Sequence, residues 1–238
     1  MITALANPQR FLDVSRWAAP TLGALAAAFL AVGLWFCFSA PPDYQQGDTV
    51  RILFLHVPAA EMSLFAYVCL AGASFFGLVF RHALADAAAR AAAPLGAGFA
   101  ALTLITGSFW GKPMWGTWWV WDPRLTSELI LLLFYLGYMA LQAAIEDEAK
   151  ADRACAILAL VGAVNVPIVH FSVTWWNSLH QGSTLLTAKG PLAAPVYLWP
   201  WGLMTFGYIC LFGSLWLVRT RAEIWRRRAR ALALRVAG

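Results

Sequence analysis

Trp110-Gly-Lys-Pro-Met-Trp115-Gly-Thr-Trp118-Trp119-Val-Trp121-Asp122-Pro-Arg124 sets five tryptophans within twelve residues and closes them with Asp-Pro-Arg. The stretch has no apolar run of its own, so it is a connection between membrane spans rather than a span. Working outward, residues from about 91 to 109 before it and from about 125 to 144 after it are each mostly apolar. Both have the length of roughly 20 residues that crosses a bilayer. Further runs of this kind lie at about 19–38, 57–80, 155–174 and 199–218. The 238-residue chain is 61% hydrophobic and 12% charged, with a mean hydropathy of +0.65, which excludes an ordinary soluble domain. The expectation is an all-α polytopic membrane protein. It is a single integral domain over 1–238: a six-transmembrane-helix bundle with a tryptophan-rich loop at 110–124 and a basic tail at 219–238. The first apolar run is long for a signal peptide, and Phe38-Ser39-Ala40 puts a bulky residue where cleavage wants a small one. It is therefore expected to remain as a span.

Lys and Arg set the orientation. With the N-terminus inside, the cytoplasmic side collects thirteen of the 17 cations, leaving Arg51, Lys112, Arg124 and Lys189 outside. Both termini are then cytoplasmic. The net charge of +5 belongs to topology and gives no reason to expect nucleic acid. The tail from Arg219 to Arg235, with Trp225 and Leu232 interleaved, reads as a juxtamembrane helix on anionic lipid or as a contact for a cytoplasmic subunit. Cys37, Cys69, Cys155 and Cys210 lie in separate apolar spans without a CxxC pair and read as small hydrophobes. The alanine-rich stretches at 24–28 and 83–93 suit close helix packing.

In this topology the connections around 39–56, 110–124 and 175–198 face outward, and nine of the thirteen tryptophans lie there. For Trp175, Trp176, Trp199 and Trp201 an interfacial aromatic belt accounts for the position as well as a ligand site does. The cluster of Trp110, Trp115, Trp118, Trp119 and Trp121 is too local for a belt, which would recur at both interfaces. His56 stands at the outer mouth of the second span and His180 in the last outer connection, so two imidazoles flank the tryptophan loop. His82 reads as a solvated residue and His170 as a hydrogen-bonded histidine of the bundle. Two histidines from separate segments can occupy both axial positions of one iron while indoles cover a porphyrin. Zinc would want three or four ligands, and the outer face has neither cysteine nor a tight His/Asp/Glu cluster. Arg51 and Arg124 flank the site and suit either haem propionates or lipid phosphates and topology. Asp122 accepts only, so it is expected to hold the loop through backbone or indole N–H groups. Glu61 and Glu128 lie inside the membrane, where charge is costly, and Arg124 is four residues from Glu128 and so placed to pair with it.

The segment Trp-Gly-Thr-Trp-Trp-Val-Trp-Asp-Pro-Arg-Leu-Thr at 115–126 resembles the tryptophan-rich "WWD" signature of haem-handling membrane proteins. Together with His56-Val-Pro, Asn-Ser-Leu-His180-Gln-Gly and the six-span length, the chain is similar almost throughout to the CcmC (haem exporter protein C) family. Pro123 stands where relatives are expected to carry a small residue, and it should stiffen the loop. The resemblance implies a non-enzymatic protein that binds haem b non-covalently at the periplasmic face of the bacterial inner membrane. His56 and His180 would be the axial ligands. Trp110, Trp115, Trp118, Trp119, Trp121, Asp122, Arg124 and Arg51 would form the pocket and docking surface. The implied partners are the haem chaperone CcmE, the small protein CcmD and the ABC transporter CcmA/CcmB. The chain itself has no phosphate-binding glycine loop, so ATP dependence must come from a partner.

Two readings from other classes compete. A haem lyase of the CcmF or CcsA type would attach haem to apocytochrome c, but it usually has more spans and needs a surface for a CxxCH peptide. A haem-translocating subunit would line a midplane path with polar residues, yet the span centres are mostly apolar and the candidate ligands lie at the outer end.

Overall fold

Helix boundaries follow from local chemistry at the chain's punctuation points. In the computed structural model, which describes residues 7–180, 182, 190 and 193–237, the helices are α1 (Pro8–Ser39), α2 (Leu53–Phe80), α3 (Ala83–Trp115), α4 (Pro123–Ala144), α5 (Glu148–Gly162), α6 (Asn165–Trp175) and α7 (Pro195–Ala237). A short 3₁₀ turn, Asp48–Ile52, leads into α2. Asn7 caps α1 through Gln9 N–H, followed by Pro8 at the first helical position. Arg81 leaves α2 in the left-handed region (φ 50°), and His82 opens α3 by accepting the Ala85 N–H on Nδ1 at 3.2 Å. His82 is thus a helix cap rather than the solvated residue expected. Gly116 ends α3 at φ 77°, a conformation that costs a side chain energy but suits glycine. Asp122 caps α4 with Pro123 behind it.

Six helical segments are long and apolar enough to cross a membrane, with α5 and α6 forming one of them. The break between those two falls at Ala163–Val164, where Pro167 has no N–H to offer the helix. Helices overrun the expected spans at several ends. The tryptophan stretch is helical through Trp115 and again from Pro123, so its irregular part is confined to 116–122. The tail is helical as expected, and it continues α7, which runs through 43 residues.

α2 and α3 form the central pair. α4 packs on α3, α5 on α2, α6 on α4, and α1 lies mainly along α7. Small residues let the backbones approach: Ala89, Ala92, Ala93, Ala97 and Ala100 are all buried on α3. Tyr135 lies directly against Gly96, where any Cβ would stand 2.1 Å from its ring, and its hydroxyl donates to the Ser63 carbonyl at 2.7 Å. The periphery is apolar, as lipid contact requires: Phe65, Phe75, Phe76, Phe80 and Phe109 are exposed.

Alternating helix direction collects the connections 40–52 and 116–122 and the end of α6 at one pole, the tryptophan end. The other pole carries a network of ions. Glu223 accepts from Arg226 and Arg227 and sits 3.3 Å from Arg90; Asp152 pairs with Arg227 and Arg90, and Glu148 with Arg226 and Arg230. Arg221 donates to the Leu12 carbonyl and to Ser15 on α1. Several tail arginines therefore hold α3, α5 and α7 together, a role within the chain beyond the lipid or subunit contact expected.

Candidate functional site

His56 occupies the first turn of α2, facing α3. Its Nδ1 lies 3.0 Å from the Thr106 hydroxyl, and its ring stands edge-on to Trp110 at 5.6 Å. Thr106 and Trp110 are four apart and so share a helix face. Trp110 is itself held, donating Nε1 to Gln46 Oε1 at 2.9 Å across from the first connection. Gly107 makes room for the ring: a Cβ there would approach His56 Cε1 to 3.0 Å.

His180 is placed by the WWD loop. Asp122 uses Oδ1 to accept the Arg124 N–H at 2.8 Å and Oδ2 to accept the Leu179 N–H at 2.9 Å. One carboxylate thereby caps α4 and ties down the segment that carries His180. His180 Nδ1 sits 3.4 Å from Asp122 Oδ1, an ion-pair distance without good hydrogen-bond geometry. The His180 ring meets Trp115 edge-on at 4.9 Å. Trp115 can lie in this place because Gly111 has no side chain; a Cβ there would come within 2.9 Å of its ring. Burial pushes the Asp122 carboxyl up, but hydrogen bonds from Ser178, Leu179 and Arg124 and the nearby His180 outweigh it, so it ionises below the usual carboxylate range. Burial lowers His180 below its ordinary 6.5, against the upward pull of Asp122. At neutral pH the pair is a carboxylate beside a neutral imidazole.

His56 and His180 each have a tryptophan of the same stretch against the ring, Trp110 for one and Trp115 for the other. Arg124 donates from Nη1 to the Val169 and His170 carbonyls, at 3.2 and 3.3 Å, which bridges α4 to α6. No ion pair joins it to Glu128 among the described residues; Glu128 instead accepts the Ser63 hydroxyl at 2.7 Å, deep between α2 and α4. Asp122 accepts backbone N–H groups as expected, and no indole N–H is among its partners in the described residues. Arg51 is engaged elsewhere, 3.0 Å from Asp48 and 3.5 Å from the Ala40 carbonyl. His170 is exposed and stands edge-on to Phe171, and among the described residues it has no side-chain hydrogen bond, in contrast to the hydrogen-bonded bundle histidine expected. Trp119 stacks edge-on with Trp121, and its buried Nε1 has no partner among the described residues. Trp121 and Trp118 are 76% and 52% exposed, the latter against Phe109. Lys189 lies outside the described residues. A cleft of about 330 Å³ opens between 120–123 and 177–179, along the seam that Asp122 bridges.

The donor set suits haem. Each imidazole has a polar group at Nδ1, Thr106 for one and Asp122 for the other, which leaves Nε2 as the nitrogen for a metal. Each ring is braced by an indole, and exposed Trp118 and Trp121 add flat apolar surface nearby. Sequence reasoning missed Thr106, Gly107, Gln46 and Gly111. Only Thr106 carried a signal, its one-turn spacing from Trp110.

A family model described as "Heme exporter protein C" matches residues 1–235. Three relatives of that name are similar over nearly the whole chain. The protein from Bradyrhizobium diazoefficiens is 51% identical over 230 residues, 97% of this chain and 88% of its own length. That of Escherichia coli is 48% identical over 218 residues, covering 91% and 88%. That of Paracoccus denitrificans is 48% identical over 231 residues, covering 97% and 96%. With six membrane-length helices and a tryptophan-rich pole built around two histidines, the chain belongs to the haem exporter protein C (CcmC) family.

Proposed function

We propose that this protein receives haem at its tryptophan end and holds the iron between His56 and His180 until a chaperone takes it. The observation that carries the reading is the pair of imidazoles, each braced by an indole, with His56 Nδ1 hydrogen-bonded to Thr106 and His180 Nδ1 facing the Asp122 carboxylate at 3.4 Å. Neutral imidazole is the ligating form, and the depressed His180 keeps it available at neutral pH. Trp118, Trp119 and Trp121 supply apolar cover and a docking face. Arg124, held by Nη1, retains further N–H groups for a propionate; Arg51, tied to Asp48, is the weaker candidate. The asymmetry of Lys and Arg supports cytoplasmic termini and a site on the opposite face, which the family resemblance makes the periplasmic face of the bacterial inner membrane. The acceptor is the haem chaperone CcmE, and the complex includes CcmD and the ABC transporter CcmA/CcmB. Haem b is cargo, bound without covalent attachment, and the chain acts as a receptor rather than an enzyme.

The test is the absorption spectrum of the purified protein. His56→Ala and His180→Ala should each lose low-spin haem, with partial return on adding imidazole. His82→Ala should keep haem and cost about 1 kcal/mol of stability as a lost cap, and exposed His170→Ala should keep both. Full low-spin haem in both ligand mutants would reject the assignment.

A further inference from the structure

We infer that Thr106 and Gly107 form a seat that selects the tautomer of His56, fixing Nδ1–H and presenting a bare Nε2. The inference rests on the reading of His56 as an iron ligand. Its geometric basis is independent of haem.

The Thr106 hydroxyl has one hydrogen and several neighbours. Its oxygen lies 2.7 Å from the Leu102 carbonyl, 3.2 Å from the Thr103 carbonyl and 3.0 Å from His56 Nδ1. Carbonyls only accept. If the hydroxyl donates to Leu102, its lone pair remains for a proton on His56 Nδ1, and both hydrogen bonds form. If the hydroxyl instead donates to a bare Nδ1, the carbonyl bond is lost and nothing replaces it. One extra hydrogen bond favours the Nδ1–H form by roughly five- to tenfold. Free histidine in water prefers the opposite tautomer, with the proton on Nε2, which blocks that nitrogen as a ligand. The seat reverses this preference before any iron arrives.

Gly107 completes the seat sterically. A Cβ at 3.0 Å from Cε1, the carbon between the two ring nitrogens, would press the imidazole away from the hydroxyl. β-Branched Thr106 is well suited to the task, because its hydroxyl returns to the preceding turn and so has one direction. Both residues are positioning residues: they act on iron through His56.

The experiment is ring ¹⁵N NMR of the haem-free, full-length protein with labelled histidine, using His56→Ala to identify the His56 signals. Wild type and Thr106→Ser should show Nδ1 protonated and Nε2 bare. Thr106→Val, equal in shape but without the hydroxyl, should move His56 largely to the Nε2–H form, and Gly107→Ala, which keeps the hydroxyl, should do so as well. Haem affinity should fall about tenfold in Thr106→Val and stay within about twofold of wild type in Thr106→Ser. An Nε2–H signal in wild type, or an unchanged tautomer in Thr106→Val and Gly107→Ala, overturns the proposal. A changed tautomer with undiminished haem affinity overturns it too. Haem retention in His56→Ala would instead reject His56 as ligand, a failure visible separately from the tautomer signals.

Discussion

Asp122→Asn isolates the tie between the WWD loop and the His180 segment. The carboxylate holds two backbone N–H groups with different oxygens, Arg124 on Oδ1 and Leu179 on Oδ2. An amide has one oxygen. Asparagine is as good a helix cap as aspartate, so its oxygen should stay on Arg124 N–H and turn the NH₂ toward Leu179 N–H, donor against donor. The lost bond is charge-assisted and half-buried, worth about 1.5–3 kcal/mol. At 1.4 kcal/mol per decade, this lowers the docked population of the segment by about ten- to a hundredfold. The helix itself should hold. Hydrogen exchange followed by mass spectrometry should show faster exchange around 177–180 with little change in α4. Haem should dissociate faster by at least about tenfold, because His180 is no longer presented. Unchanged protection at 177–180 together with haem affinity within twofold of wild type would refute the reasoning and leave Asp122 as a helix cap only.

At the opposite pole, Glu223→Gln removes the charge that faces Arg90, Arg226 and Arg227. The expected loss is about 2 kcal/mol, less than for a fully buried pair because Arg226 is half exposed, and it should be seen as a fall of about 4–8 °C in the melting temperature in detergent with haem affinity unchanged. A pH titration of haem binding tests the other ligand. Because burial lowers His180 below 6.5, the folded ring stays neutral where a free one gains a proton, so affinity should be flat from about pH 8 to 6.5 and decline only below that. The same sign makes acid destabilising, since the unfolded ring binds the proton first; a decline already complete at pH 7 would contradict the assignment.

The amino-acid sequence by itself determined the spans, the helical class and the crowding of tryptophan and histidine at one pole. Hydropathy is additive along a chain, and roughly 20 apolar residues must cross a bilayer as a helix because no other local structure satisfies their backbone. Asp122 was legible as an acceptor of backbone N–H groups, whereas the end of α3 at Gly116, well beyond the expected span, was not. What the tertiary structure decided were the pairings between segments. Arg124 and Glu128 have the spacing of an ion pair, yet Arg124 reaches α6 and Glu128 reaches Ser63, because helix rotation sets which neighbour a side chain meets. The tail looked like a lipid-binding surface because Glu148 and Asp152, at the start of another helix, lie far from it in sequence. Packing α3, α5 and α7 together turned Arg226 and Arg227 inward onto acids. Thr106 and His56 are 50 positions apart, and their meeting depends on the close approach of α2 and α3. The small residues of α3 permit that approach, but their composition does not give the register that sets a hydroxyl behind an imidazole.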